Sequence, residues 1–275
     1  MKPTRKFDSN NNNGGVDMSN LSNIEFHNNE FKCEIENDIA VLTIRGNAFK
    51  SISKIKRNAD IIPLLDELEK TPSVRGFLLL NEEDSISEGA YVVFLKETVG
   101  GEFDPLSPKE ISKFSKDTIR AREINILGNI VQRLTSFNKI IITGISGDIV
   151  SPFFGLTLAS DFRFASTNTN FILSHIKYRL HPSGGLPFFL PLYLPQSKVS
   201  EMLFTGSKYS ARELKDLGLI NDIYDKGEFI EKVKATANEI CKVSLNVAFT
   251  TKKLLWHKKE ELKNYLNIES ELMMR

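Results

Sequence analysis

The chain has 275 residues, 41% of them hydrophobic and 26% charged, enough to bury one large soluble core or two small ones. Its 36 basic and 35 acidic residues leave a formal net charge of +1, so no global field attracts nucleic acid or an anionic membrane, and neither is expected as a partner. The two cysteines, Cys33 and Cys241, stand apart from any CxxC or Cys/His cluster. That argues against a disulfide framework or a structural zinc and makes a reducing, cytoplasmic compartment the expected one.

Residues 1–23 are rich in Asn, Ser and Gly and hold no apolar stretch, so they read as a disordered tail rather than a signal peptide, with Met18 as an alternative start. No apolar run approaches the roughly 20 residues a membrane-spanning helix needs. Residues 24–195 read as a mixed α/β core. Two short runs, Phe31 to Glu36 and Ile39 to Arg45, flank Asn37-Asp38 and predict a β-hairpin with a tight turn. "RGFLLLN" (Arg75 to Asn81) and "KIIITGI" (Lys139 to Ile145) are unbroken apolar runs, as expected of strands covered on both faces. Helices are predicted before each: "ADIIPLLDELEKT", where Pro63 marks a kink or the first turn, and a helical stretch from Pro108 to Phe137. "GISGDIVSPFFGLTLASDF" (Gly144 to Phe162) is a strand end, a turn and a helix, with Ser151 placed to act as N-cap and Pro152 at the first helical position. "FRFAS" is a further strand, and the Pro- and Gly-rich segment from Asn170 to Pro195 reads as a shaped loop. From Gln196 onward, residues 196–275 read as an all-helical annex, with capping-box spacing at Ser210 and Glu213.

Several of these strings together resemble the crotonase (enoyl-CoA hydratase/isomerase) superfamily. The likeness runs from about Phe31 to Trp256. It is densest in "SKVSEMLFTGSKYSARELKDLGLINDIY" (Ser197 to Tyr224), with Asp161 before "FRFAS", Phe171, and "HPSGG" (His181 to Gly185) in register. It implies an α/β, crotonase-like spiral of ββα units with a helical C-terminal oligomerisation region. It also implies a homotrimer or hexamer and a site for an acyl-CoA or related thioester, with coenzyme A entering as part of the substrate and no separate cofactor. Members of the family hold the thioester oxygen with two backbone N–H groups. Such donors stabilise charge that develops in the transition state because they are already oriented. The first donor turn falls on "SEGAY", which gives the oxyanion position to Glu88, with Gly89 behind it as a substrate-binding residue. The second falls on "SPFFG", where the middle glycine of the family pattern is Pro152, which has no N–H. The amide of Phe153 is the alternative donor, with Phe154 and Gly155 beside the substrate.

The two glutamates with which hydratases place a water fall on Gly155 and His175. No small shift of register restores them, because the chain has no Asp or Glu between Asp148 and Asp161 or between Asp161 and Glu201. His175, an imidazole that titrates near neutrality, becomes the catalytic candidate, with Tyr178 or Glu88 assisting; a hydrogen-bonded loop histidine is the plainer alternative. His181 shapes a turn or faces the site, and the His175/His181 spacing does not suit a metal. Glu82, Glu83 and Asp84 read as a solvated loop. Lys252, Lys253, Lys258 and Lys259 read as a helix surface, although in the family such lysines meet the coenzyme phosphates. Two readings stay open: an enzyme with altered proton-transfer chemistry, and a crotonase-fold ligand sensor or oligomeric scaffold without catalysis.

Overall fold

The computed structural model describes residues 24–53, 55–102, 104, 107–115 and 118–273, so the tail expected over residues 1–23 lies outside it. The chain enters through β1 (Phe26–His27) and the hairpin of β2 (Phe31–Glu36) and β3 (Ile39–Ile44). Asn37 and Asp38 between them both have positive φ, 48° and 65°, the backbone that a two-residue turn requires and these residue types tolerate. Helices α1 (Ala48–Ser53) and α2 (Ile55–Lys70) lead to β4 (Gly76–Asn81). Then come α3 (Glu88–Val99), α4 (Pro108–Ser115), α5 (Thr118–Ser136), β5 (Ile140–Ile145), β6 (Asp148–Val150) and α6 (Ser151–Leu158). The chain continues through β7 (Phe162–Ser166), β8 (Asn170–Ile172), α7 (Leu186–Phe189), α8 (Gln196–Thr205), β9 (Lys208–Ser210) and α9 (Ala211–Asp216). It closes with β10 (Asp222–Tyr224), α10 (Phe229–Ile240), α11 (Leu245–Leu255) and α12 (Lys259–Met273).

Among the described residues, seven strands form one sheet in the order β1-β2-β3-β4-β5-β7-β10, parallel from β3 onward, and β6-β8-β9 form a second, smaller sheet. Every residue of β4 and β5 is buried. The two-residue period of the strands divides their side chains between two cores. Ala40, Leu42, Phe77, Leu79 and Ile141 enter the larger core. Val41, Leu78, Leu80, Ile140 and Ile142 meet Phe229, Val233 and Ala237, which share one face of α10 at a spacing of four. Burying Phe229 and Val233 contributes roughly 1.5–3 kcal/mol each, enough to fix α10 on the sheet.

Pro63 lies inside α2, as read from the sequence. α4 and α5 lie within the stretch read as helical from Pro108 to Phe137. Two expectations are corrected. The region after Gln196 is not all helical: β9 completes the small sheet and β10 extends the large one beside β7. The shaped loop likewise contributes β8, which pairs with β6 and β9. The capping box at Ser210 and Glu213 forms as read. Among the described residues, no helix is long and apolar enough to cross a membrane.

Candidate functional site

Two helices, α3 and α6, begin side by side just beyond the C-terminal ends of the parallel strands β4 and β5. Asn81 holds the two strand ends together. Its Nδ2 donates to Ser146 O (2.9 Å), and its Oδ1 accepts from Ser146 N (3.1 Å). The Val150 amide donates to Ile86 O at 3.3 Å and so ties the two helix entries to each other. Crevices at this end of parallel strands are common ligand sites in α/β proteins. At α3, Ser87 is extended and its Oγ accepts from Ala90 N (3.2 Å), which makes it the N-cap. That leaves the amides of Glu88 and Gly89 in the first turn, where the helix supplies no acceptor and the dipole favours an anion.

The second helix start is built differently. The N-cap of α6 is Val150, which offers no side-chain cap, so the expectation that Ser151 caps the helix is corrected. Ser151 is already helical, and its hydroxyl donates instead to His175 Nδ1 at 3.0 Å. Pro152 stands in the first turn without an N–H, followed by Phe153 and Phe154, both buried. A glycine turn presses on this start. A Cβ on Gly184 (φ +73°) would overlap Pro152 O, and one on Gly155 would overlap Gly184 O and lie 2.8 Å from Leu186 N. The turn is held from behind by α12, whose buried Glu269 accepts from Gly184 N (2.9 Å) and Gly185 N (3.1 Å).

The sequence-derived candidates sort into two hydrogen-bonded pairs. His175 is buried, with Nε2 2.9 Å from Leu203 O. A carbonyl only accepts, so Nε2 carries the proton and Nδ1 receives the Ser151 hydroxyl. Burial, the leading cause, holds the imidazole below its usual range, and both ring nitrogens are engaged in the neutral form. Tyr178 and Glu88 make the second pair. The buried phenol donates to Glu88 Oε1 at 3.0 Å, and Lys177 Nζ reaches the same oxygen at 3.0 Å. Burial, and next the Glu88 carboxylate, push the phenol well above its ordinary range. His181 is exposed. Among the described residues, no group of three or more His, Cys, Asp or Glu could hold a metal.

A chain of buried aromatic rings links the two helix starts. Phe153 meets Phe49 edge-on (centroids 5.0 Å, 84°), Phe49 packs on Tyr91 (4.8 Å) and Phe94 (6.0 Å), and Tyr91 meets Tyr178 (5.9 Å). Phe154 turns the other way, onto Phe171 (4.7 Å). Gly89 sits exposed in the first turn of α3.

Lys252 is a residue whose role sequence reading missed. Placed there on a helix surface, it is buried, with Nζ 2.7 Å from Asp161 Oδ2 and 2.8 Å from Lys139 O. Desolvation is the largest influence on it and lowers its pKa. The pair forms part of the lining of an apolar cavity of about 500 Å³ that also touches Phe162, Leu192, Val247 and Trp256. The sequence did contain a signal: Asp161 is the only acid between Asp148 and Glu201, within an apolar stretch, and a buried carboxylate needs a partner.

Known proteins fit this geometry. The sequence profile of the enoyl-CoA hydratase/isomerase family matches residues 113–275. The short-chain-enoyl-CoA hydratase of Clostridium acetobutylicum is 25% identical over 209 residues, 75% of this chain and 73% of that protein. The carnitinyl-CoA dehydratase of Salmonella typhi is 31% identical over 103 residues, 38% of this chain and 40% of that protein. The crystal structure of the enoyl-CoA hydratase from Bacillus halodurans superposes with a TM-score of 0.71 over 89% of this chain and 93% of that one, at 21% identity. Paired helix starts at the strand ends, an architecture shared with those structures and a profile covering more than half the sequence lead to one conclusion: the chain belongs to the enoyl-CoA hydratase/isomerase, or crotonase, family.

Proposed function

We propose that the protein binds acyl-CoA thioesters and does not hydrate them. Relatives named as CoA enzymes support the ligand class. The reading that hydration is lost rests on one observation, the buried and doubly engaged His175, at the position to which the family resemblance assigns a hydratase acid. Hydration needs two groups that can place a water and move its proton. Gly155 supplies no side chain, and His175 gives Nε2–H to a carbonyl and takes the Ser151 proton at Nδ1. The amide of Glu88 and the N-terminal end of α6 remain as polar partners for a thioester oxygen. Calorimetric titration with CoA, acetyl-CoA and crotonyl-CoA tests binding, and the ultraviolet absorbance of the conjugated enoyl thioester tests hydration. Binding with unchanged absorbance is expected; steady loss of absorbance that His175→Ala abolishes overturns the proposal.

A second reading, an enzyme with a different proton transfer, is favoured by the Glu88–Tyr178 contact. Glu88 combines a 3.0 Å bond to a buried phenol with a side chain 27% exposed, so its carboxylate is within reach of solvent or ligand. Turnover of any thioester in a broad panel, lost in Glu88→Gln, would select this reading. Under either, the exposed Val247, Leu254 and Leu255 of α11 support a homo-oligomer, with light scattering expected to give the mass of three or six chains.

A further inference from the structure

We propose that Phe153 is a plug that limits the acyl group this protein accepts, its ring closing off an apolar extension of the site; the inference rests on the thioester-binding reading. The backbone of Phe153 belongs to the first turn of α6, one of the two helix starts, while its ring points into the interior. There it lines a cavity of about 30 Å³ together with Ala48, Ile52, Phe77, Ile130 and Leu156. Every residue lining that cavity is apolar, so it offers a water nothing to bond and stays dry. The same ring abuts Phe49, and Phe49 abuts Tyr91 in the first turn of α3, so one continuous aromatic wall runs between both helix starts. A thioester oxygen held at those starts directs its acyl chain onto this wall. A short acyl group fits in front of it; a longer one needs the space the Phe153 ring fills. Phe154, the next residue on the same helix, packs against Phe171 and has no part in the wall.

The experiment measures affinity against acyl length for CoA, acetyl-, butyryl-, hexanoyl- and octanoyl-CoA by calorimetry. Wild type is expected to gain no affinity beyond butyryl. Phe153→Ala should continue to gain, by roughly four-fold per added methylene, through hexanoyl, the value that follows from about 0.8 kcal/mol per buried CH₂. Phe153→Leu carries the test should the alanine variant fail to fold, extending the gain by about one methylene. Phe154→Ala, an equal truncation of the same helix, is expected to leave the length limit where it is. The proposal is overturned if wild type keeps gaining affinity to octanoyl, if the Phe153 variants show the wild-type limit, or if Phe154→Ala moves it as far. Failure of CoA and acetyl-CoA to bind wild type at all overturns the thioester-binding reading and this one with it, whereas an unmoved length limit overturns this one alone.

Discussion

Substituting alanine for Gly155 separates two opposing effects whose sizes the structure sets. Inside a helix, alanine is favoured over glycine by about 0.8–1 kcal/mol, and Gly155 lies mid-way along α6. Against this, the new Cβ would overlap Gly184 O and stand 2.8 Å from Leu186 N. Both are backbone atoms and cannot rotate away. The Gly184 end of the turn is moreover fixed by two bonds to Glu269, so the overpacking penalty belongs at the upper end of the usual range of about 1–3 kcal/mol. The expected net is a loss of about 2 kcal/mol, or ~4–8 °C in Tm for a domain of this size. Gly128→Ala is the internal control. It carries the same helical gain in the middle of α5, and its nearest neighbour is Leu266, 3.9 Å away, ordinary contact. It should gain up to ~1 kcal/mol. Urea and thermal denaturation of the two variants, followed by circular dichroism, should thus differ by about 3 kcal/mol. Equal stabilities would refute the reasoning, because the glycine turn would then move aside freely. A glutamate could in that case be installed at residue 155 without rebuilding the loop.

Two further outcomes follow from buried groups. His175 titrates below the ordinary histidine value in the folded state, so in the window beneath ~6.5 the unfolded chain takes up a proton that the folded chain refuses. Stability at His175 should therefore fall on acidification through that window by up to ~1.4 kcal/mol per pH unit, and His175→Asn should flatten the slope of urea midpoint against pH. Lys252→Met leaves the Asp161 carboxylate buried with the Ile141 amide at 2.8 Å and no cation, and should destabilise the fold by about 3–5 kcal/mol. Removing both partners in Lys252→Met/Asp161→Leu should cost less than the sum of the single changes, and strict additivity in that double-mutant cycle would show the pair to be uncoupled.

What could be read from the sequence was what short-range physics decides. Asn37-Asp38 fixes a tight turn whatever surrounds it, and unbroken apolar runs such as "FLLL" and "IIIT" require cover on both faces. The paired helix starts followed from a family resemblance anchored in several separate strings. What stayed hidden depends on partners far along the chain. Ser151 has the composition of an N-cap, yet its hydroxyl goes to His175, 24 residues on. Lys252 sits in a run of lysines that local pattern assigns to solvent, but Asp161, 91 residues earlier, draws it inside. The strands β9 and β10 have three residues each and form because edges of existing sheets await them, not because their own sequence demands it. Local propensity is a weak prior, and tertiary context overrides it where elements are short.

The carboxylate of Glu269 reaches back across 85 residues to fasten the glycine pair that shapes one wall of the site. During synthesis, the loop at Gly184 emerges long before its anchor exists, so the pocket must mature late, after α12 has been made and has settled onto the rest of the molecule. Anything that disturbs the docking of that helix, whether a fused partner, a protease or a competing surface, would thereby reach the ligand without ever touching it.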